Sequence, residues 1–384
     1  MTRHTDSGSR RLLNVVAATI AVLALMPVAA ASAQAGGAQV AQGPQAAGKQ
    51  KKDPAKKAEK AKLEAATKFY DKNDESPLAV TLTTNIKKIR GDKGDTGPWR
   101  DATLSYINDG KPVVIPIKIK TRGIWRKKNC EFPPVRLNIA RETSVGTVFY
   151  GLDRPKLVSY CRDDDMYENY VLQEFQLYRI YNMMTPMSHR ARLVKMTYAD
   201  EGGKVQATRS AIILEEPTVL AERVGSSLAK EKGAGPDNLE PHHSALLGVF
   251  EYFIGNTDFS IFALHNIELL MQPDGNVIPV PMDFDFSGVV NARYATPDPK
   301  VNINSVRQRI FRGYCAPAEE YPKAFEQFRQ GKDPIYALYQ DAIGKLMKKD
   351  YVDETIKYYN DFYKTINNSR DANREIVKAC ITGH

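Results

Sequence analysis

Between residues 113 and 121, Ile115, Ile117 and Ile119 alternate with Pro116, Lys118 and Lys120, a period of two that puts one face of a strand on a core and the other in water. Shorter runs of strand-forming residues at 78–84, 101–107, 135–139, 156–160, 191–198 and 211–216 predict further strands, separated by Gly-, Asp-, Pro- and Lys-rich loops. After residue 160 the period changes. Asp163-Asp164-Asp165 supplies the carboxylates that favour a helix start, and 166–182 continues with Val171, Phe175 and Tyr178 as an inner stripe. Further helices are expected over about 217–224 and 244–254, then as three or four amphipathic segments between Glu319 and Thr382. Strand-like runs at 266–271 and 277–282 flank Pro273-Asp274-Gly275-Asn276, which has the composition of a hairpin turn. Strands gathered early and helices late predict an α+β chain.

The first 66 residues follow neither period. Arg3, Arg10 and Arg11 precede an apolar run over 15–28 and the small residues Ala31-Ser32-Ala33, so 1–33 is expected to be a Sec-type signal peptide, with an uncleaved anchor as the alternative. Ser9-Arg10-Arg11-Leu12-Leu13 bears a weak likeness to a twin-arginine signal. Residues 34–66, rich in Ala, Gln and Lys, read as a disordered tether. A secreted, periplasmic or cell-surface protein follows, with no stable membrane span after signal cleavage.

Charge changes the picture only by its location. Of the net +9, residues 1–62 carry +7, so the folded part has no electrostatic footprint for nucleic acid. Four cysteines, Cys130, Cys161, Cys315 and Cys380, permit disulfides in three pairings, or remain as buried thiols; none has CxxC spacing, which argues against zinc.

Chemistry is concentrated in residues 255–288. The hairpin turn brings its far ends together, so Asp258, His265 and Asn266 are expected to meet Asp283 and Asp285. Phosphoryl transfer needs a carboxylate to orient the attacking hydroxyl, and an amide and a second carboxylate to hold magnesium on the nucleotide phosphates. A solvated turn or a structural calcium site would use the same residue types, but explains less well why Asp283-Phe284-Asp285-Phe286 sets acids against bulky apolar neighbours. Glu174 falls inside the apolar stripe of its helix, so it either faces a buried cation or sits at the edge and reaches water. Arg122-Gly123 followed by Trp125-Arg126-Lys127-Lys128 reads as a solvated basic turn more readily than as a phosphate cradle. Arg307, Arg309 and Arg312 are expected in structural ion pairs, and His242 and His243 at the surface.

Taken in order, Arg122-Gly123, Lys156-Leu157-Val158 before an acidic helix start, Glu215-Glu216, Asn256-Thr257-Asp258, His265-Asn266 and Asp283-Phe284-Asp285 resemble the CotH kinase family, atypical protein kinases first known from spore coats. The resemblance covers roughly residues 78–294. It implies a two-lobed, protein-kinase-like fold, with a β-rich small lobe over 67–216 and a helical large lobe over 217–384. It implies ATP and Mg2+ (or Mn2+) as cofactors, and transfer of the γ-phosphate to hydroxyl groups of a protein substrate. On this basis Asp258 is the catalytic aspartate, Asn266, Asp283 and Asp285 are metal ligands, and Arg122, Arg136, Lys156, Glu174 and Glu216 form the nucleotide side. The alternatives are a catalytically inactive kinase-fold surface or coat-assembly protein, and a hydrolase built on paired carboxylates.

Overall fold

The computed structural model describes residues 54–72, 76–95 and 97–383. The expected signal peptide and most of the expected tether lie outside them. The tether's end is different from expectation: α1 runs Pro54–Tyr70. Leu63, Ala66, Phe69 and Tyr70 make a short apolar stripe that packs into the barrel core described below. The Tyr70 hydroxyl donates to Leu214 O at 3.1 Å. Gly151 makes the approach feasible: a Cβ there would lie 2.5 Å from Lys62 O and 2.7 Å from Ala66 N. A sequence rich in Ala and Lys is helical here because a partner surface buries its stripe.

The chain continues through β1 (Leu78–Thr84), α2 (Ile86–Gly91), β2 (Arg100–Asn108), β3 (Lys111–Thr121), α3 (Trp125–Asn129), β4 (Val135–Asn138), α4 (Arg141–Ser144) and β5 (Lys156–Val158). Then come α5 (Asp165–Met184), β6 (Ala191–Ala199), β7 (Val205–Leu214), α6 (Pro217–Arg223), β8 (Ser227–Ala229), α7 (Pro241–Ile254), β9 (Ile267–Met271) and β10 (Val277–Pro281), followed by α8 (Glu320–Ala337), α9 (Lys349–Asn367) and α10 (Ser369–Glu375). The α+β class is as expected, and the predicted strands and helices recur with shifts of up to three residues at their ends, except that the strand expected at 211–216 starts six residues earlier, as Val205–Leu214. α7 starts earlier than expected, because the Glu240 carboxylate accepts the free N–H groups of His242 and His243. Those two histidines are half-buried rather than superficial; His242 Nδ1 lies 3.1 Å from Glu320 and His243 Nδ1 2.5 Å from Glu240.

Seven strands close a barrel in the order β1-β2-β3-β4-β5-β7-β6, sealed by the parallel pairing of β1 with β6. The alternating isoleucines of β3 point inward: Ile115 and Ile119 are fully buried and Ile117 nearly so. A second sheet of three strands, β10-β9-β8, carries the predicted hairpin. Closure of the barrel, rather than a clear division into two lobes, is the architectural finding.

Two large apolar clusters cross the expected lobe boundary at 216. One fills the barrel. The other gathers α7, α8 and α9 around α5, and also takes Leu193, Ile212 and Leu214 from the barrel wall. α5 belongs in sequence with the strands and in packing with the helices; residues 169–181 are buried all round. Disulfides join Cys130 to Cys161 and Cys315 to Cys380. Among the described residues, no helix is long and apolar enough to cross a membrane.

Candidate functional site

The site starts where α7 stops. Gly255 ends that helix in a left-handed conformation, φ 67°, and a Cβ there would fall 1.9 Å from the buried Tyr358 hydroxyl. Only glycine turns the chain in that space. Arginines hold the backbone on both sides of this turn: Arg309 donates to Tyr252 O and Phe253 O at 3.0 Å each, and Arg312 to Thr257 O at 2.7 Å. Arg309 and Arg307 also lie over the Tyr358 ring. These arginines are structural, as expected, though they mostly tie backbone carbonyls rather than carboxylates.

Asp258 comes next, its N–H bonded to Asn256 Oδ1 at 3.0 Å. The seven residues to His265 fold back on themselves, with Ser260 and His265 exchanging both backbone hydrogen bonds at 2.9 Å. That closure returns Asn266 to Asp258. Asn266 Nδ2 donates to Asp258 O at 2.8 Å and to its Oδ2 at 3.1 Å, while His265 Nε2 lies 2.9 Å from Oδ1. The same partner raises the His265 pKa, against its partial burial.

The hairpin brings the second pair of acids alongside, and Met282 N–H bonds Asn266 O at 3.0 Å across its open end. Asn266 and Asp283 both adopt left-handed backbone, φ 54° and 63°, which Asn and Asp tolerate better than other side chains. The Tyr178 hydroxyl accepts the Asp283 N–H at 3.0 Å. Phe284 is fully buried against Tyr178 and Phe250. It anchors the segment while its two acidic neighbours reach the cleft.

Across the cleft stands the turn after β3. Arg122 Nη1 lies 3.8 Å from Asp283 Oδ2, and Arg126 Nη1, on α3, lies 3.5 Å from Asp285 Oδ2. The basic turn is solvated only in part: Ile124, Trp125 and Lys128 are exposed, but Arg126 and Lys127 are buried, Arg126 bonding Ser159 O and Lys127 bonding Gly94 O. Their burial needs carbonyl acceptors that become neighbours only on folding. Together Arg122, Trp125, Arg126, Asp258, Asn266, Asp283 and Asp285 line a cleft of about 380 Å³, with His265, Ile124, Pro134 and Phe286.

The electrostatics are those of opposed charges partly removed from water. Burial drives the Asp285 pKa up to about 6, despite Arg126. For Asp283 burial acts the same way, but Arg122, Arg126 and Lys156 outweigh it and hold the pKa below the ordinary range. Burial also depresses Lys156 to about 8, helped by Arg122 and opposed by Asp283 and Glu268. Lys156 Nζ lies 2.9 Å from Met282 Sδ, next to Asp283, and Lys156 pairs with Arg136 across β4 and β5. Glu174 does not reach water. It is fully buried, its Oε1 has no hydrogen-bond partner, and burial with Asp285 and Asp283 nearby raises its pKa well above the carboxylate range.

Arg136, Lys156, Glu174 and Glu216 do not line the cleft. Lys156, Glu174 and Arg136 stand behind it, within the electrostatic reach of Arg122. Glu216 has a different role: its carboxylate accepts the N–H groups of Asp153 and Arg154 at 2.8 and 2.9 Å, which fixes the turn before β5. Sequence reasoning missed Arg126, Tyr294 and Glu268. The Tyr294 hydroxyl donates to Asp285 Oδ2 at 3.0 Å and its ring stacks on Trp125 at 4.9 Å. No protein-family model matches the chain, and no curated protein matches it in sequence.

Proposed function

We propose that the protein is an exported, CotH-like atypical kinase that transfers the γ-phosphate of ATP to hydroxyl groups of a protein substrate. The observation that carries this reading is the convergence of Asp258, Asn266, Asp283 and Asp285 on one cleft, with Arg122 and Arg126 opposite. Two carboxylates and an amide oxygen are the hard donors that Mg2+ or Mn2+ takes, and such an ion completes its shell with water and nucleotide phosphates. Among the described residues no three His, Cys, Asp or Glu side chains form a self-sufficient metal cage.

When bound, magnesium–ATP supplies the transferable phosphoryl group and neutralises its charge. The remaining work falls to the chain. Asp283 and Asp285 offer carboxylate oxygens, and Asn266, whose Nδ2 is committed to Asp258, offers its Oδ1. Arg122 and Arg126 line the cleft and carry the guanidinium charge that phosphate oxygens accept from. Asp258, half-buried at the cleft, orients the acceptor hydroxyl. Export is supported by the two disulfides, which persist in oxidising compartments.

A second reading has its own support. Arginine charge already stands within 4 Å of Asp283 and Asp285, as in a site that has replaced metal by internal ion pairs. The protein would then be an inactive kinase-fold surface or coat-assembly component. Transfer of labelled phosphate from ATP to generic acceptor proteins, with magnesium or manganese, separates the two. The kinase reading expects transfer that falls at least about 100-fold in Asp258→Asn and in Asp283→Asn. Equal transfer by both variants and the native chain rules it out.

A further inference from the structure

Arg126 and Trp125 reach the cleft from α3, a helix of five residues with no side-chain cap at its N-terminus. A single turn does not hold itself together in water, so its position is set by what pins it to the barrel. Two pins lie on the other side, Lys127 Nζ to Gly94 O at 2.7 Å and Lys93 Nζ to Lys128 O at 2.9 Å; the others converge on residues 159–161, just after β5. Arg126 bonds Ser159 O, Glu131 N–H bonds Cys161 O at 2.7 Å, and Ser159 Oγ bonds Phe132 O at 3.2 Å. The covalent member of this set is the disulfide from Cys130, which ends α3, to Cys161.

α3 makes two of the cleft contacts itself and borders a third. Arg126 lies 3.5 Å from Asp285, Trp125 stacks on Tyr294, and Tyr294 bonds Asp285. We infer that the Cys130–Cys161 disulfide is the positioning element of the cleft, which is complete only in the oxidised chain. For its effect on nucleotide binding, this rests on the phosphoryl-transfer reading above. Forming the bond takes two electrons and two protons from the thiols, and these pass to a protein or small-molecule disulfide that becomes a dithiol. The chain would acquire its site on reaching a compartment that holds such oxidants. Cys315–Cys380 provides the control. It closes a longer loop, 65 residues against 31, so its loss weakens the fold at least as much; neither disulfide lines the cleft, but this one joins neither α3 nor residues 159–161.

The test compares Cys130→Ser/Cys161→Ser with Cys315→Ser/Cys380→Ser in full-length chains carrying Trp99→Phe, which leaves Trp125 as the sole indole. Magnesium–ATP affinity is measured by calorimetry and Trp125 emission by fluorescence, below the unfolding temperature. The first pair is expected to lose at least tenfold in affinity and to shift its emission to the red, while the second keeps the parent's values. Unchanged emission in the first pair, or equal effects from both pairs, overturns the inference. If the parent binds no magnesium–ATP, the phosphoryl-transfer reading fails and the emission still decides the positioning. Should the first pair not fold, native-state reduction of the Cys315→Ser/Cys380→Ser chain with a phosphine replaces it, since Cys130–Cys161 is then the bond reduced: a red shift of Trp125 emission supports the positioning role, and unchanged emission overturns it.

Discussion

Asn266 and Asp283 each satisfy two demands with one side chain. Their left-handed backbone turns the chain at the open end of the hairpin, and their oxygens face the cleft. That double use explains why the acids and amides were readable in sequence: a polar residue bounding an apolar strand signals both a turn and a ligand. Arg126 was not readable, because Trp125-Arg126-Lys127-Lys128 has the composition of a solvated turn, and the Ser159 and Gly94 carbonyls that allow its burial lie far away along the chain. Glu174 was half readable: its place in the apolar stripe showed, but its partners did not. Its folded-state pKa is raised above the unfolded value, so the folded protein holds a proton that the unfolded chain releases as pH rises. Glu174 therefore costs stability above its unfolded pKa and nothing below it. Glu174→Gln is expected to raise Tm at pH 7 and to leave it unchanged near pH 4, in paired thermal melts.

Element by element, legibility follows how much of the pattern is internal. β3 was plain because alternating isoleucines need no partner to be recognised; α3 was invisible because one turn has no period. α1 was misread because its stripe is short, and only the close approach to Gly151 gives it a surface to cover. α5 was legible as a helix, but its docking depends on Glu168, which accepts from Lys195 at 2.7 Å, Ser210 N at 2.8 Å, Ser210 Oγ at 2.7 Å and Arg209 at 3.0 Å. Burial opposes that carboxylate, yet these donors hold its pKa near about 2 against an ordinary 4.5. A depressed carboxylate stabilises the fold above its unfolded pKa and loses that contribution as pH falls through the folded one. Glu168→Gln is expected to cost about 3 kcal/mol at pH 7 in urea unfolding, and the difference should shrink as pH drops from about 4.5 towards about 2.

For the molecule as a whole, the cleft lies where the barrel meets the helical core to which α5 belongs. The barrel supplies Arg122 and Arg126, the hairpin and the end of α7 supply the acids, and α5 backs both with Glu174 and Tyr178. A ligand that joins the two sides should stabilise the whole fold by mass action, by about 2.7 kcal/mol at 100 times its Kd. Under the kinase reading, saturating magnesium–ATP raises Tm by a few degrees, and EDTA or Asp283→Asn abolishes the shift. A nucleotide effect that survives EDTA would count against a metal-bridged site.

Periodicity and turn chemistry are local properties, and so the amino-acid order alone determined most of the strands, the long helices after α1, the hairpin and the acids at its ends. Which strand lies beside which is not local. Barrel closure through β1 and β6, the burial of Arg126, the pairing of Cys130 with Cys161 and the placement of Glu174 behind Asp285 join residues far apart along the chain. Only the packed tertiary structure decided these, because the desolvation and charge that govern them exist only once distant segments exclude water from each other.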